Sequence, residues 1–232
     1  MKTIISIKWS NSEKYLVLLT GFLLMGQMLL SGSLPVKFSY IPQPFTFLSY
    51  VNLGFSRFLN TGFNHATFTA AFFLLSPKTG DILRQALNFS AFFLLMELLV
   101  LQGMIGTNAY ILNSLVLLTV FFVALENIFA RKLRIEHSRY LLLGICGLVH
   151  GAAMGNTLLN SGAANPASIF SYAGFSTGLL LGEIFLLAAL FVVVAKFLST
   201  KDYYKRLVVN PVSLLLAAYS IYEVVQLLVV AN

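Results

Sequence analysis

Apolar runs of about twenty residues recur along this chain, and that recurrence leaves few folds open to it. Crossing a hydrocarbon core of ~30 Å takes ~20 apolar residues as a helix, the form that satisfies its backbone N–H and C=O groups within one segment. Seven such runs can be placed, at 15–31, 60–76, 83–103, 109–130, 140–158, 172–197 and 208–230. The second is short and opens on Asn60, Asn64 and His65. The pattern predicts an all-α fold, a polytopic membrane helix bundle of about seven transmembrane helices. Composition agrees: 58% of residues are hydrophobic and 10% charged, against about 25% charged in a soluble domain.

The basic residues test the span count. Seven spans put the N-terminus and the loops near 78–84, 131–139 and 196–206 on one side. Thirteen of the fifteen Lys and Arg fall there, and only Lys37 and Arg57 fall on the other side. Positive residues stay cytoplasmic, so the N-terminus is expected inside and the C-terminus outside, in a bacterial inner (plasma) membrane. The net charge of +7 is therefore a topology signal and not a nucleic-acid footprint. Lys2, Lys8 and Lys14 before the apolar run from Tyr15 could suggest a secretory leader, but the run is read as a first transmembrane helix.

Two regions follow. Residues 1–59 hold that first helix and an outer connection rich in aromatics and proline, "YIPQPFTFLSY", expected on the outer surface with an in-plane helix near 46–58. Residues 60–232 form a six-helix membrane domain. No phosphate loop, dinucleotide fingerprint, nucleophile–base pair or open zinc motif is visible, so no enzyme activity is expected. Cys146 lies in an apolar run and has no second cysteine to pair with.

Ionisable groups at mid-bilayer cost roughly 2.5–3.5 kcal/mol on insertion scales, so each asks for a reason. The candidates for a metal or proton site are His65, His150, Glu126 and Glu183, with Glu97 and Glu223 as further contributors. Glu126 lies five residues before Arg131 and could equally pair with a loop arginine. Asn88 and Asn127 are expected to support or pack. Glycines recur every four residues at Gly147, Gly151 and Gly155 and again at Gly174, Gly178 and Gly182. Such ridges let helix backbones approach closely. The spans carrying them are consecutive, so the ridges are expected to face each other, with His150 and Glu183 within direct or water-bridged hydrogen-bonding reach.

Four segments carry a family resemblance: "GFNHATFTAAFFLL" at 62–75, "QALNFSAFFLL" at 85–95, "ALENIFARK" at 124–132 with "CGLVHGAAMG" at 146–155, and "GFSTGLLLGEI" at 174–184. In this order they resemble the HupE/UreJ family, whose members are regarded as nickel or cobalt permeases or as hydrogenase and urease accessory proteins. The resemblance retains His65, Glu126, Asn127, His150 and Gly151. The family's Asp-His pair falls on Ala71 and Phe72, and its second-segment histidine on Phe89. In the fourth segment its Asn falls on Ser176, its Glu on Leu180 and its Gln on Glu183. The resemblance implies a divalent transition-metal permease with a degenerate site, its cargo a nickel or cobalt ion and no cofactor certain. The alternative is a non-transporting accessory or structural subunit of a larger membrane complex. The lipid bilayer is the expected partner in both readings.

Overall fold

A computed structural model of the chain describes residues 46–60, 63–76, 78–130, 137–161, 168–195 and 203–230. The predicted first span at 15–31, and the connection up to residue 45, lie outside the described residues. Seven α-helices follow: α1 (Phe47–Asn60), α2 (Phe63–Leu75), α3 (Thr79–Leu101), α4 (Ala109–Phe129), α5 (His137–Leu159), α6 (Ile169–Leu190) and α7 (Asn210–Val230). π-Helical turns at Phe191–Ala195 and Lys205–Val209 end α6 and lead into α7. Among the described residues, five segments are long and apolar enough to cross a membrane: α3, α4, α5, α6 and Lys205–Val229. The protein is an all-helical integral membrane protein.

Local chemistry sets the helix ends. The side chain of Asn108 accepts the N–H groups of Tyr110 and Ile111 at 3.0 and 3.3 Å and so caps α4. Ser168 does the same for α6 through the N–H of Ser171 at 3.1 Å. α3 stops at Leu101 because Gly103 turns left-handed (φ 72°). Met104 N–H then donates back to the Leu99 carbonyl at 3.0 Å.

The burial pattern inverts that of a soluble protein. Leu83, Leu87, Leu95, Phe122, Ile145, Leu181, Ile184 and Leu214 are exposed, as a lipid-facing surface requires. Gln85, Glu97, Asn127, Arg139, His150 and Ser176 are buried instead. Polar side chains placed inside a bundle find hydrogen-bond partners that lipid cannot offer.

The two glycine ridges do not face each other, contrary to the sequence expectation. Each packs on a parallel, non-consecutive helix. On α5, a Cβ at Gly147 would lie 2.5 Å from the Phe89 carbonyl oxygen of α3, and one at Gly155 would lie 3.0 Å from Val100 Cβ. A Cβ at Gly151 would overlap the Phe93 carbonyl. Asn88 secures the same pair by donating from Nδ2 to the Tyr140 carbonyl at 2.8 Å. On α6, Gly174 meets Phe47 and Tyr50, Gly178 meets Val51 and Phe55, and Gly182 meets Phe58. Gly54 of α1 reciprocates against Phe175. The physical reason is that each ridge needs a partner running alongside it. Direction alternates from passage to passage, which makes α3 parallel to α5, and α1, the first half of one passage with α2, parallel to α6.

That packing also corrects the expectation for residues 46–58. The helix forms, but it does not lie apart on the outer surface; it runs parallel to α6 with Tyr50, Leu53 and Phe58 buried. α1 and α2 together make one broken passage. Phe47 and Tyr50 stack against Phe170 at the start of α6, with ring centroids 5.6 and 6.3 Å apart. Phe58, near the end of α1, meets His65 in the first turn of α2 at 5.3 Å. α2 then leads on to the opposite end of the bundle, where Tyr204 donates its hydroxyl to the Leu74 carbonyl at 2.9 Å. With 14 and 13 residues, α1 and α2 are about 21 and 20 Å long, so neither crosses the core alone. The short span expected at 60–76 is the second half of this passage.

Candidate functional site

His65 and His150 meet at the break. Their Nδ1 atoms are 3.2 Å apart, and both residues are buried, at 2% and 0% exposure. His65 is placed by the first turn of α2 and His150 by the middle of α5. Gly151 beside His150 lets α3 close against α5, which brings Phe89 and Phe93 of α3 into the same layer. The tautomers follow from the hydrogen bonds. Thr119 of α4 donates its hydroxyl to the Val116 carbonyl at 2.6 Å, so its oxygen accepts at 2.8 Å from Nε2–H of His150. For an uncharged imidazole, His150 Nδ1 then carries a lone pair, and His65 donates to it from its own Nδ1–H.

Aromatic rings enclose the pair. Phe68 lies 4.5 Å from the His150 ring, and Phe89 lies 5.6 Å from both histidines. Phe93 stands 5.6 Å from His65. Phe89 occupies the position where the resemblance places a histidine, so a third imidazole there would point into this pair. Phe72, the other such position, lies one layer away, 6.4 Å from Phe89.

Toward the end of the bundle where α4 stops and α5 begins, Arg139 ties four helices together. Its guanidinium is fully buried. It donates to Gln85 Oε1 of α3 at 2.7 Å, Glu126 Oε2 of α4 at 2.7 Å, Asn127 Oδ1 at 3.1 Å and the Phe72 carbonyl of α2 at 2.9 Å. Asn127 Nδ2 donates in turn to the Ala71 carbonyl at 2.7 Å and to Ser213 Oγ of α7 at 3.2 Å. Sequence reasoning assigned Arg139 to a cytoplasmic loop; it belongs to the first turn of α5 and points inward. Glu126 is the partner of this arginine, at the end of the bundle, and is not in the histidine layer.

Glu183 is buried at 4% exposure, and of the expected direct or water-bridged approach to His150 no direct hydrogen bond is present. Both ring nitrogens of His150 are taken, by Thr119 and His65, because α5 packs on α3 and not on α6. Glu183 Oε1 has no hydrogen-bond partner among the described residues. Glu97, fully buried on α3, accepts from Ser176 Oγ of α6 through Oε2 at 2.7 Å, and its Oε1 likewise has no partner. Glu223 is half-buried on α7.

As a metal site the layer is incomplete. Ligands on one tetrahedral ion at ~2.0–2.1 Å stand about 3.3–3.4 Å apart, so the Nδ1–Nδ1 spacing suits two ligands of one cation. No group of three or more His, Cys, Asp or Glu able to hold a metal occurs among the described residues.

A family model described as HupE / UreJ protein matches residues 38–227. The chain belongs to the HupE/UreJ family. No curated protein and no solved structure matches it. The HupE/UreJ match takes in both halves of the broken passage, the histidine layer and the Arg139 cluster, so every feature described above lies within the family's own extent.

Proposed function

We propose that this HupE/UreJ protein is a permease for divalent transition-metal cations of the nickel and cobalt class, with His65 and His150 as its mid-membrane way-point. The observation that carries this reading is the imidazole pair at the break of a discontinuous helix. Transporters place substrate sites near the bilayer midplane, where helices are interrupted. Imidazole suits nickel, and carboxylates and imidazoles together suit borderline cations.

The incomplete ligand set fits cargo better than a resident ion. A structural metal is closed in by four protein ligands. A conducted ion must bind well enough to enter and weakly enough to leave. Two imidazoles meet that requirement, with the ion's own water filling the remaining positions. The Arg139 cluster closes one end of the bundle below this layer. The split of basic residues along the sequence supports reading that end as the cytoplasmic side, with the C-terminus outside.

The aromatic enclosure favours the second reading, an accessory subunit of a membrane complex that keeps the family's fold with a degenerate site. Uptake of radioactive nickel by proteoliposomes separates the two. The permease reading expects uptake by the unsubstituted protein and its loss in His150→Ala that is still monodisperse in detergent. A parent protein that takes up no nickel or cobalt leaves the accessory role.

A further inference from the structure

Two carboxyl groups inside the bundle have no basic partner among the described residues. Arg139 is offset by Glu126 at 2.7 Å. The histidine pair has a neutral hydrogen-bonding solution through Thr119 and brings no negative charge. Two carboxyl groups remain, Glu97 and Glu183, each with a buried Oε1 that has no partner. Neither has a Lys, Arg or His within ion-pairing distance among the described residues. A cation placed between imidazoles in a low-dielectric layer has to be neutralised nearby, because an unpaired buried charge costs several kcal/mol.

Their positions fit that task. Gln85, Phe89, Phe93 and Glu97 recur every four residues and form the buried stripe of α3. Phe89 and Phe93 touch the histidines, so Glu97 comes one turn beyond them, about 6 Å along the helix. On α6, Ser176 holds Glu97, and Glu183 lies seven residues further on the same buried face, about 10.5 Å along the axis. Gly182, next to Glu183, is packed on Phe58, which touches His65. In depth, the histidine layer therefore falls within the interval spanned by the two carboxyl groups, one supplied by α3 and one by α6.

We infer that Glu97 and Glu183 supply the two negative charges that a divalent cation needs at the His65–His150 pair, and that Glu97, steered by Ser176, is the carboxylate that receives the ion on the side away from Arg139. This rests on the permease reading and adds to it the basis of charge selectivity. Divalent cations are matched by the two carboxylates, whereas a monovalent imidazole-binding ion gains less from them.

Calorimetric titration of the detergent-solubilised protein with Ni²⁺ and with Ag⁺ tests the inference. Glu97→Gln and Glu183→Gln should each weaken Ni²⁺ binding by about tenfold or more. Both should weaken Ag⁺ binding at the imidazoles by a clearly smaller factor than Ni²⁺ binding, while His150→Ala weakens both ions. Ni²⁺ affinity that is unchanged in the two Gln variants but falls in His150→Ala overturns the inference and keeps the permease site. Affinity that falls in the Gln variants but not in His150→Ala keeps the carboxylates and overturns the histidine way-point. A parent protein that binds no Ni²⁺ overturns both. Should either Gln variant fail to fold, the Ni²⁺-induced infrared difference spectrum of the unsubstituted protein decides. Carboxylate bands must appear in it, and imidazole bands alone overturn the inference.

Discussion

Replacing Arg139 with alanine should destabilise the protein by about 3–5 kcal/mol, because the change strands Glu126, Gln85 and Asn127 without their shared donor. Glu126→Gln should cost less, since the amide oxygen still accepts from the guanidinium and the Glu126 side chain is 25% exposed. Thermal unfolding in detergent ranks the two, and an equal loss would argue that Gln85 and the Phe72 carbonyl contribute nothing. Phe89→His is expected to act in the opposite sense on binding. The ring contacts both histidines, so a third imidazole there should tighten Ni²⁺ binding by tenfold or more, about 1.4 kcal/mol. Titration with Ni²⁺ that shows no gain would place residue 89 outside the ion's reach. At this scale the sequence was only partly legible. His65 and His150 could be singled out because imidazoles are costly in lipid. Their pairing was not visible, since it depends on which helix each glycine ridge chooses. Arg139 was hidden by its place at a span end, where an arginine facing water and an arginine turned inward read alike.

The helices were legible as helices because apolar length alone marks them, and their alternating direction followed from the basic residues. Partner choice was not legible. A glycine ridge declares that a backbone will come close without saying which one. Gly151→Leu and Gly178→Leu test the partners the structure assigns. The first should loosen α5 from α3 and the second α6 from α1, each by overpacking that costs about 1–3 kcal/mol or more. Disulfide trapping reads the outcome locally: a cysteine pair at Asn88 and Tyr140 should cross-link efficiently and lose that efficiency in Gly151→Leu, while Gly178→Leu leaves it intact. Cross-linking that is insensitive to Gly151→Leu would dissociate the ridge from the α3–α5 contact. The discontinuity between α1 and α2 escaped the sequence for a related reason. Proline and aromatic residues ahead of Phe47 resemble an interfacial segment, and the contribution of Gly54 shows only against Phe175.

For the whole molecule, the broken passage is followed by five helices of alternating direction, α3 to α7, and this fixes which loops share a side. Cysteine-accessibility labelling at Gly80 and Gly106 should place them on opposite faces of the membrane, with Gly80 cytoplasmic. Finding both on one face would reject the alternation of α3 and α4. The parallel pairing of α1 with α6 has a further consequence, for the order in which the protein is made. Val51 and Phe55 emerge from the ribosome long before Gly178, yet they have no other ridge to lie against. Until α6 has been synthesised and inserted, α1 is half a crossing with an unsatisfied face. α2, which carries His65, is by contrast already tied to α4 and α5 through Asn127 and Arg139, so the late partner is needed by α1 alone. A chain arrested ahead of residue 169 would hold the contacts among α2, α4 and α5 but leave Val51, Gly54 and Phe55 without the α6 backbone they pack on.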